Sequence, residues 1–126
     1  ARRPRPRGPQ AAKTVYVFGS DLAGRHIRGT ALIALREHGA VYGEAVGLQG
    51  RSYAIPVRDE QGSPLPLTIV RGYVQAFLRF ASNHRDLTFH VTRIGCEPGV
   101  YSEREMAPLF AQAPPNCHLP RNWRSA

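Results

Sequence analysis

Two glycine-punctuated stretches hold the residues best suited to chemistry. The first is Gly19-Ser20-Asp21-Leu22-Ala23-Gly24-Arg25-His26, running on to Arg28 and Gly29; the second is Gly95-Cys96-Glu97-Pro98-Gly99-Val100-Tyr101. Each follows a β-branched, apolar run and precedes a helical pattern. Glycine lets a backbone approach a ligand closely, and a helix N-terminus offers unpaired N–H groups to anions. In α/β sheets the ligand crevice lies outside the carboxyl ends of the strands. Two such loops side by side suit a diphosphate; the same glycines equally serve tight turns.

Standard nucleotide motifs are excluded. Gly19 and Gly24 have the Walker A gap, but Arg25 and His26 stand where Lys and Ser/Thr must reach phosphate and Mg²⁺. No Gly-x-Gly-x-x-Gly occurs in the first loop, so the dinucleotide fingerprint fails too. Within that loop His26 can protonate a leaving group or meet a phosphate, or simply be an exposed loop histidine. Cys96 leads toward a helix, which can lower a thiol's pKa, although a packed thiol is the simpler reading. Cys96, Cys117 and His118 lack the spacing of a metal site, so neither a metal nor a cofactor is expected.

The elements that must position these loops follow from periodicity. Thr14 to Phe18 is β-branched or aromatic throughout and predicts a strand buried on both faces, closed by Gly19. A helix is expected from about Ile27 to His38, with Ile27, Ala31, Leu32, Ala34 and Leu35 inward and Gly39 as its stop. Ser52 to Ile55 reads as a short strand ended by Pro56, and 58–66 as a loop. The stretch between Gly39 and Ser52 gives no clear element. Val70, Val74, Phe77, Leu78 and Ala81 mark the core face of a helix over 67–83. Thr88 to Ile94 is the second strong strand, with His90 facing away from Phe89 and Val91. Ser102 and Glu105 form a capping box opening a helix that carries Met106, Leu109 and Phe110 inward. Residues 116–119 suggest a last short strand. Strand and helix alternate, which predicts an α/β sandwich with a mostly parallel central sheet.

Composition bounds the rest. The chain has 126 residues, 42% hydrophobic and 21% charged, which is one globular domain's worth. No apolar run approaches the roughly 20 residues of a membrane span, so no membrane partner is expected. The N-terminal residues lack the apolar core of a secretory signal, and two cysteines make no disulfide scaffold; a reduced, cytoplasmic protein is expected. The net charge is +8, but residues 1–13 carry Arg2, Arg3, Arg5, Arg7 and Lys13 with no acid, while 14–119 holds ten Arg against nine acids. The expected organisation is a disordered basic tail over 1–13, one domain over 14–119 and a C-terminal tail over 120–126. Trp123 in the latter most simply folds back on the core. The basic ends give the alternative reading: a nucleic-acid-binding accessory protein gripping phosphates through its tails.

The segments Phe18-Gly-Ser-Asp-Leu-Ala-Gly-Arg-His-Ile-Arg-Gly-Thr-Ala-Leu32 and Thr92-Arg-Ile-Gly-Cys-Glu-Pro-Gly-Val-Tyr101 resemble the ligand loops of macrodomains, the ADP-ribose-binding α/β/α modules. Both are similar to loops of the branch that removes terminal ADP-ribose from proteins and DNA. The stretch from Val15 to Trp123 also resembles a short family found in phages and bacteria. The resemblance implies a three-layer α/β/α sandwich that binds ADP-ribose or a related nucleotide diphosphate. It places Asp21 near the distal ribose, Gly24, Arg28 and Gly29 along the phosphates, Gly95, Cys96 and Gly99 opposite with backbone N–H groups, and Tyr101 against the ribose. Gly19, Ser20, Leu22, His26 and Val100 complete the implied ligand loops. Arg28 occupies the slot of that branch's attacking Lys, and an arginine stays protonated and cannot attack. The branch's Asp slot falls near Pro98 or Gly99, with Glu97 beside it. Binding relies on backbone donors and survives these changes; hydrolysis would need Asp21 or Glu97 to activate a water.

Overall fold

The computed structural model describes residues 14–97 and 100–124. The basic segment 1–13, Pro98 and Gly99 lie outside the described residues. The fold is α/β: a five-stranded mixed sheet with three α-helices among the described residues. The elements are β1 (Thr14–Asp21), α1 (Gly29–Glu37), β2 (Gly47–Gln49), β3 (Ser52–Arg58), α2 (Leu67–Ser82), β4 (Thr88–Val91), α3 (Glu103–Met106), a 3₁₀ turn (Ala107–Phe110) and β5 (Cys117–His118). The strand order is β2-β3-β1-β4-β5, parallel except where β2 pairs antiparallel with β3.

That order makes β1 the strand where the winding reverses. The chain leaves β1 for β3 on one side, then crosses back to β4 on the other. Crossovers between parallel strands are right-handed, so opposite directions of travel send their helices to opposite faces. Alternate residues of β1 record this. Val15 and Val17 belong to the main core with α2's Val70, Val74, Phe77, Leu78 and Ala81, whereas Tyr16 and Phe18 pack with Ala31 and Ala34 of α1. The five α2 residues expected inward are all buried.

Several boundaries differ from expectation. β1 does not stop at Gly19, because Gly19, Ser20 and Asp21 continue to pair with Ile55, Pro56 and Arg58 of β3. β3 likewise runs through Pro56. β2 reaches only Ser52 to Ala54, and the next pairing beyond it is made by Pro64 and Leu65 at Val57 and Arg58, so Pro56 falls in the gap between the two, where a residue without an N–H is tolerated. β2 itself was not anticipated; it is three residues long and begins at a glycine. α1 starts at Gly29 rather than Ile27. His26 adopts a left-handed φ of 51° and Arg28 is the extended N-cap, so neither is helical, and Ile27 is 53% exposed. β4 ends at Val91, after which Thr92 donates from both N–H and Oγ1 to Val17 O, at 3.1 and 2.8 Å.

The capping box at Ser102 and Glu105 is present, with Met106 and Phe110 buried behind it. The α-helix gives way to 3₁₀ after one turn because Pro108 has no N–H to continue the ladder. The stretch expected as a C-terminal tail is packed as far as Arg124. Trp123 is 2% exposed against Phe110 and donates from Nε1 to Glu103 at 2.8 Å, and Arg124 donates to Ala113 O, Pro114 O and Cys117 O. No helix among the described residues is long and apolar enough to cross a membrane.

Candidate functional site

The carboxyl end of β1 opens into a pocket of about 210 Å³. β1 supplies Gly19, Ser20 and Asp21, and the segment from Arg25 to Arg28 with Ala31 forms one wall. The opposite wall is Val57 and Arg58 at the end of β3, then Gln61 and Gly62; Glu97, from beyond β4, closes the mouth. The pocket lies over the strand where the order reverses, the usual place for a ligand in an open α/β sheet. The β1–β3 register slips by one residue between Ser20 and Asp21, a bulge of the kind that re-aims side chains beside sites.

The loop is shaped by backbone packing. Gly24 has a φ of +68°, and a Cβ there would lie 2.6 Å from Gly43 C. The Gly24 N–H bonds Asp21 O, and Gly43 N–H bonds Gly24 O at 2.7 Å. The turn is therefore pinned to the 43–44 backbone, and Gly24 faces that contact rather than the pocket. Ser20 Oγ donates to Ala45 O at 2.6 Å, a second tie to the same segment.

His26 is neither an exposed loop histidine nor a free acid. It is 2% exposed, with its ring edge-on to Phe18. Its Nε2 lies 3.0 Å from Glu44 O and 3.2 Å from Gln49 Oε1. Val41 N–H donates to Gln49 Oε1, and Gln49 Nε2 donates to Glu44 O, which fixes the amide orientation. Both partners of Nε2 are then acceptors, so Nε2 carries a proton, and Nδ1 has no partner among the described residues.

Charge in the pocket is mostly internally balanced. Arg25 Nη1 stands 4.0 Å from Asp21 Oδ2, and Arg25 Nη2 donates to Glu60 O. Arg58 Nη2 donates to Glu97 Oε1 at 2.9 Å and Nη1 to Gly62 O at 2.8 Å. Arg28 is different: it is exposed, lines the pocket, and its side chain makes no hydrogen bond or ion pair with a described residue. It is also the N-cap of α1, which has no side-chain cap and no acidic residue in its first turn. The free N–H groups and positive end of that nine-residue helix thus stand beside an unpaired guanidinium.

Of the residues singled out from sequence, Gly19, Ser20, Asp21, His26, Arg28 and Glu97 come together around the pocket. Gly29 adjoins it; a Cβ there would lie 3.4 Å from Glu97 Oε2. Leu22, Gly24, Gly95, Cys96, Val100 and Tyr101 do not line it. Leu22, Cys96 and Tyr101 pack on the main core, and a Cβ on Gly95 would meet Met106 Sδ at 3.1 Å. Gly99 lies outside the described residues. The Cys96 thiol is pushed up to about 11, first by burial and then by Glu103, which is the reverse of an activated cysteine. Burial, followed by Glu105, raises the Tyr101 hydroxyl.

Among the described residues the second wall is therefore built largely by the end of β3 and its following turn with Glu97, not by Gly95, Cys96, Val100 or Tyr101. Arg58 could have been found as a charged residue at the carboxyl end of a parallel strand; reading Pro56 as a strand terminator hid it. Arg25 was quoted within the loop but given no role. No protein-family model, curated protein or solved structure matches the chain.

Proposed function

We propose that this chain is a three-layer, macrodomain-like α/β/α protein that binds ADP-ribose or a related nucleoside diphosphate over the carboxyl end of β1. One observation carries the reading: Arg28, whose guanidinium has no described partner, stands at the N-cap of α1, which no side chain caps, in a pocket where the other arginines already face carboxylates or carbonyls. An uncapped helix start with an adjacent guanidinium is a site for phosphate oxygens. The about 210 Å³ of enclosed space suits a phosphoribosyl portion, with the remainder of the ligand across the open mouth. The resemblance of the first loop to macrodomain ligand loops supports the choice of ADP-ribose.

Asp21 and Glu97 are the carboxylates of the pocket. In a hydrolytic step one of them would take a proton from water as its oxygen bonds the anomeric carbon. The bond to the departing group then breaks, and that group receives a proton.

The test is calorimetric titration of ADP-ribose into the full chain, beside inorganic pyrophosphate and AMP. The expected result is micromolar binding of ADP-ribose that weakens about tenfold or more in Arg28→Ala, as for loss of a charge-assisted hydrogen bond. Absence of heat at millimolar ADP-ribose, or unchanged affinity in Arg28→Ala, overturns the reading.

A further inference from the structure

A second cavity, of about 420 Å³, lies at the other end of β1, on the α1 face of the sheet. It is lined by Thr14, Tyr16, Glu37, His38, Arg51 and His90. Three of these side chains are flat rings in near-parallel planes. Tyr16 and His38 stack with centroids 4.2 Å apart and planes 13° apart; Tyr16 and His90 are 6.0 Å and 22° apart. His90 is exposed, and it is the strand neighbour of Tyr16 on β1 and of His118 on β5. His118 is exposed too. A row of Tyr16, His90 and His118 thus crosses three adjacent parallel strands on one face, while Phe89, Val91 and Cys117 fill the core on the other.

The charged groups lining the same cavity are of two kinds. Arg51 and Glu37 are exposed, and neither side chain hydrogen-bonds or ion-pairs with a described residue. One offers donors in a planar fork, the other only acceptors. A π-face below, with separate donor and acceptor groups at the rim, matches a nucleobase, whose edges carry both.

We propose that this face is a base-stacking platform for single-stranded nucleic acid, with one base on the exposed His90 end of the ring column and its edge read by Arg51 and Glu37. Two features favour a strand over a free nucleotide. Neighbouring strands are about 4.8 Å apart, so the row from Tyr16 to His118 spans roughly 10 Å, longer than one base needs. Thr14, which lines the cavity, directly follows in sequence a run, 1–13, with five basic residues and no acid, a composition suited to a phosphate backbone. The site is separate from the pocket at the carboxyl end of β1 and needs no ligand there.

The experiment is fluorescence anisotropy of the full chain with a labelled single-stranded oligonucleotide of about 12 nucleotides, with the matching duplex and AMP as competitors. Single-stranded binding should fall about fivefold or more in His90→Ala and also in His118→Ala, recover in His90→Phe, and keep an unchanged salt slope in all three, because no phosphate contact is removed. Both residues are exposed, so each variant should keep the fold, and either variant tests the platform alone. Wild-type affinity in both alanine variants would show binding through the basic ends only and overturn the proposal. Equal competition by duplex, displacement by AMP as efficient as by the strand, or absence of binding would overturn it as well.

Discussion

Arg58 Nη2 stands 2.9 Å from Glu97 Oε1, tying the end of β3 to the segment beyond β4 across the end of β1. The two residues are 39 positions apart; Arg58 ends β3 on one side of β1, and Glu97 follows β4, the strand on the other side. The bridge crosses the mouth of the first pocket and holds a cationic group in check there. Under the proposed function, the phosphates of the ligand would compete with Glu97 for that guanidinium.

Glu97→Gln should therefore separate stability from binding. The pair is partly solvated, and such bridges contribute on the order of 1 kcal/mol or less, so the urea midpoint should hardly move. ADP-ribose affinity should rise severalfold, because a negative charge is removed and Arg58 is released. Calorimetry on the variant decides it. A fall in affinity would mean that the carboxylate accepts from the ligand.

Gly24→Ala should act on the fold. The φ of +68° already disfavours any side chain, and the added Cβ would meet Gly43 backbone at 2.6 Å, where nothing flexible can give way. Strain of this kind costs roughly 2 kcal/mol or more. Denaturant unfolding should show that loss with little change in slope. Unaltered stability would mean that the loop is not pinned to the 43–44 segment.

These two residues also show what the sequence could and could not reveal. Gly24 is visible as a loop glycine, but its partner at Gly43 lies in a stretch with no periodicity to place it. The core was legible wherever one face repeats: Val70, Val74, Phe77, Leu78 and Ala81 are inward as the helical period demands. The capping box at Ser102 is local chemistry and was equally readable. The pocket's second wall depends on strand order, which local pattern does not encode. Arg58 reaches Glu97 only because β3 and β4 flank β1. The burial of His26 was hidden for the same reason, since its partners Glu44 and Gln49 are 18 and 23 residues away.

The thiols give a third prediction. Burial pushes both Cys96 and Cys117 up to about 11, from an ordinary value of 9.0. Below pH 9 both states of the chain hold these protons. As pH rises from 9 toward 11 the unfolded thiols ionise first, so the stabilising contribution present at neutral pH is lost over that window. The melting temperature should fall between pH 9 and 11, and less so in Cys117→Ser measured against its own neutral-pH value. Alkylation by iodoacetamide should be slow at pH 8.5 and faster in urea; equally fast alkylation of the native chain would contradict the packed environment.

His38 should impose a dependence at the acid end. Burial lowers its pKa from the ordinary 6.5; Glu37 pulls the other way, and Arg51 and His90 add to the lowering. A proton on this ring would place charge in the column stacked on Tyr16 and beside the Arg51 guanidinium. The unfolded chain takes up the proton near pH 6.5, whereas the folded chain waits for a lower pH. Between those two values the unfolded state binds more protons, so stability falls as acid is added and stops falling once folded His38 is protonated too. His38→Phe keeps a flat ring against Tyr16 but cannot titrate. Its melting temperature should therefore decline less than wild type from pH 7 to pH 5, and the His38 ring proton signal should titrate below 6.5 in the native protein. Titration above 6.5 would mean that the Glu37 carboxylate outweighs burial, and the acid-side loss of stability would then reverse sign.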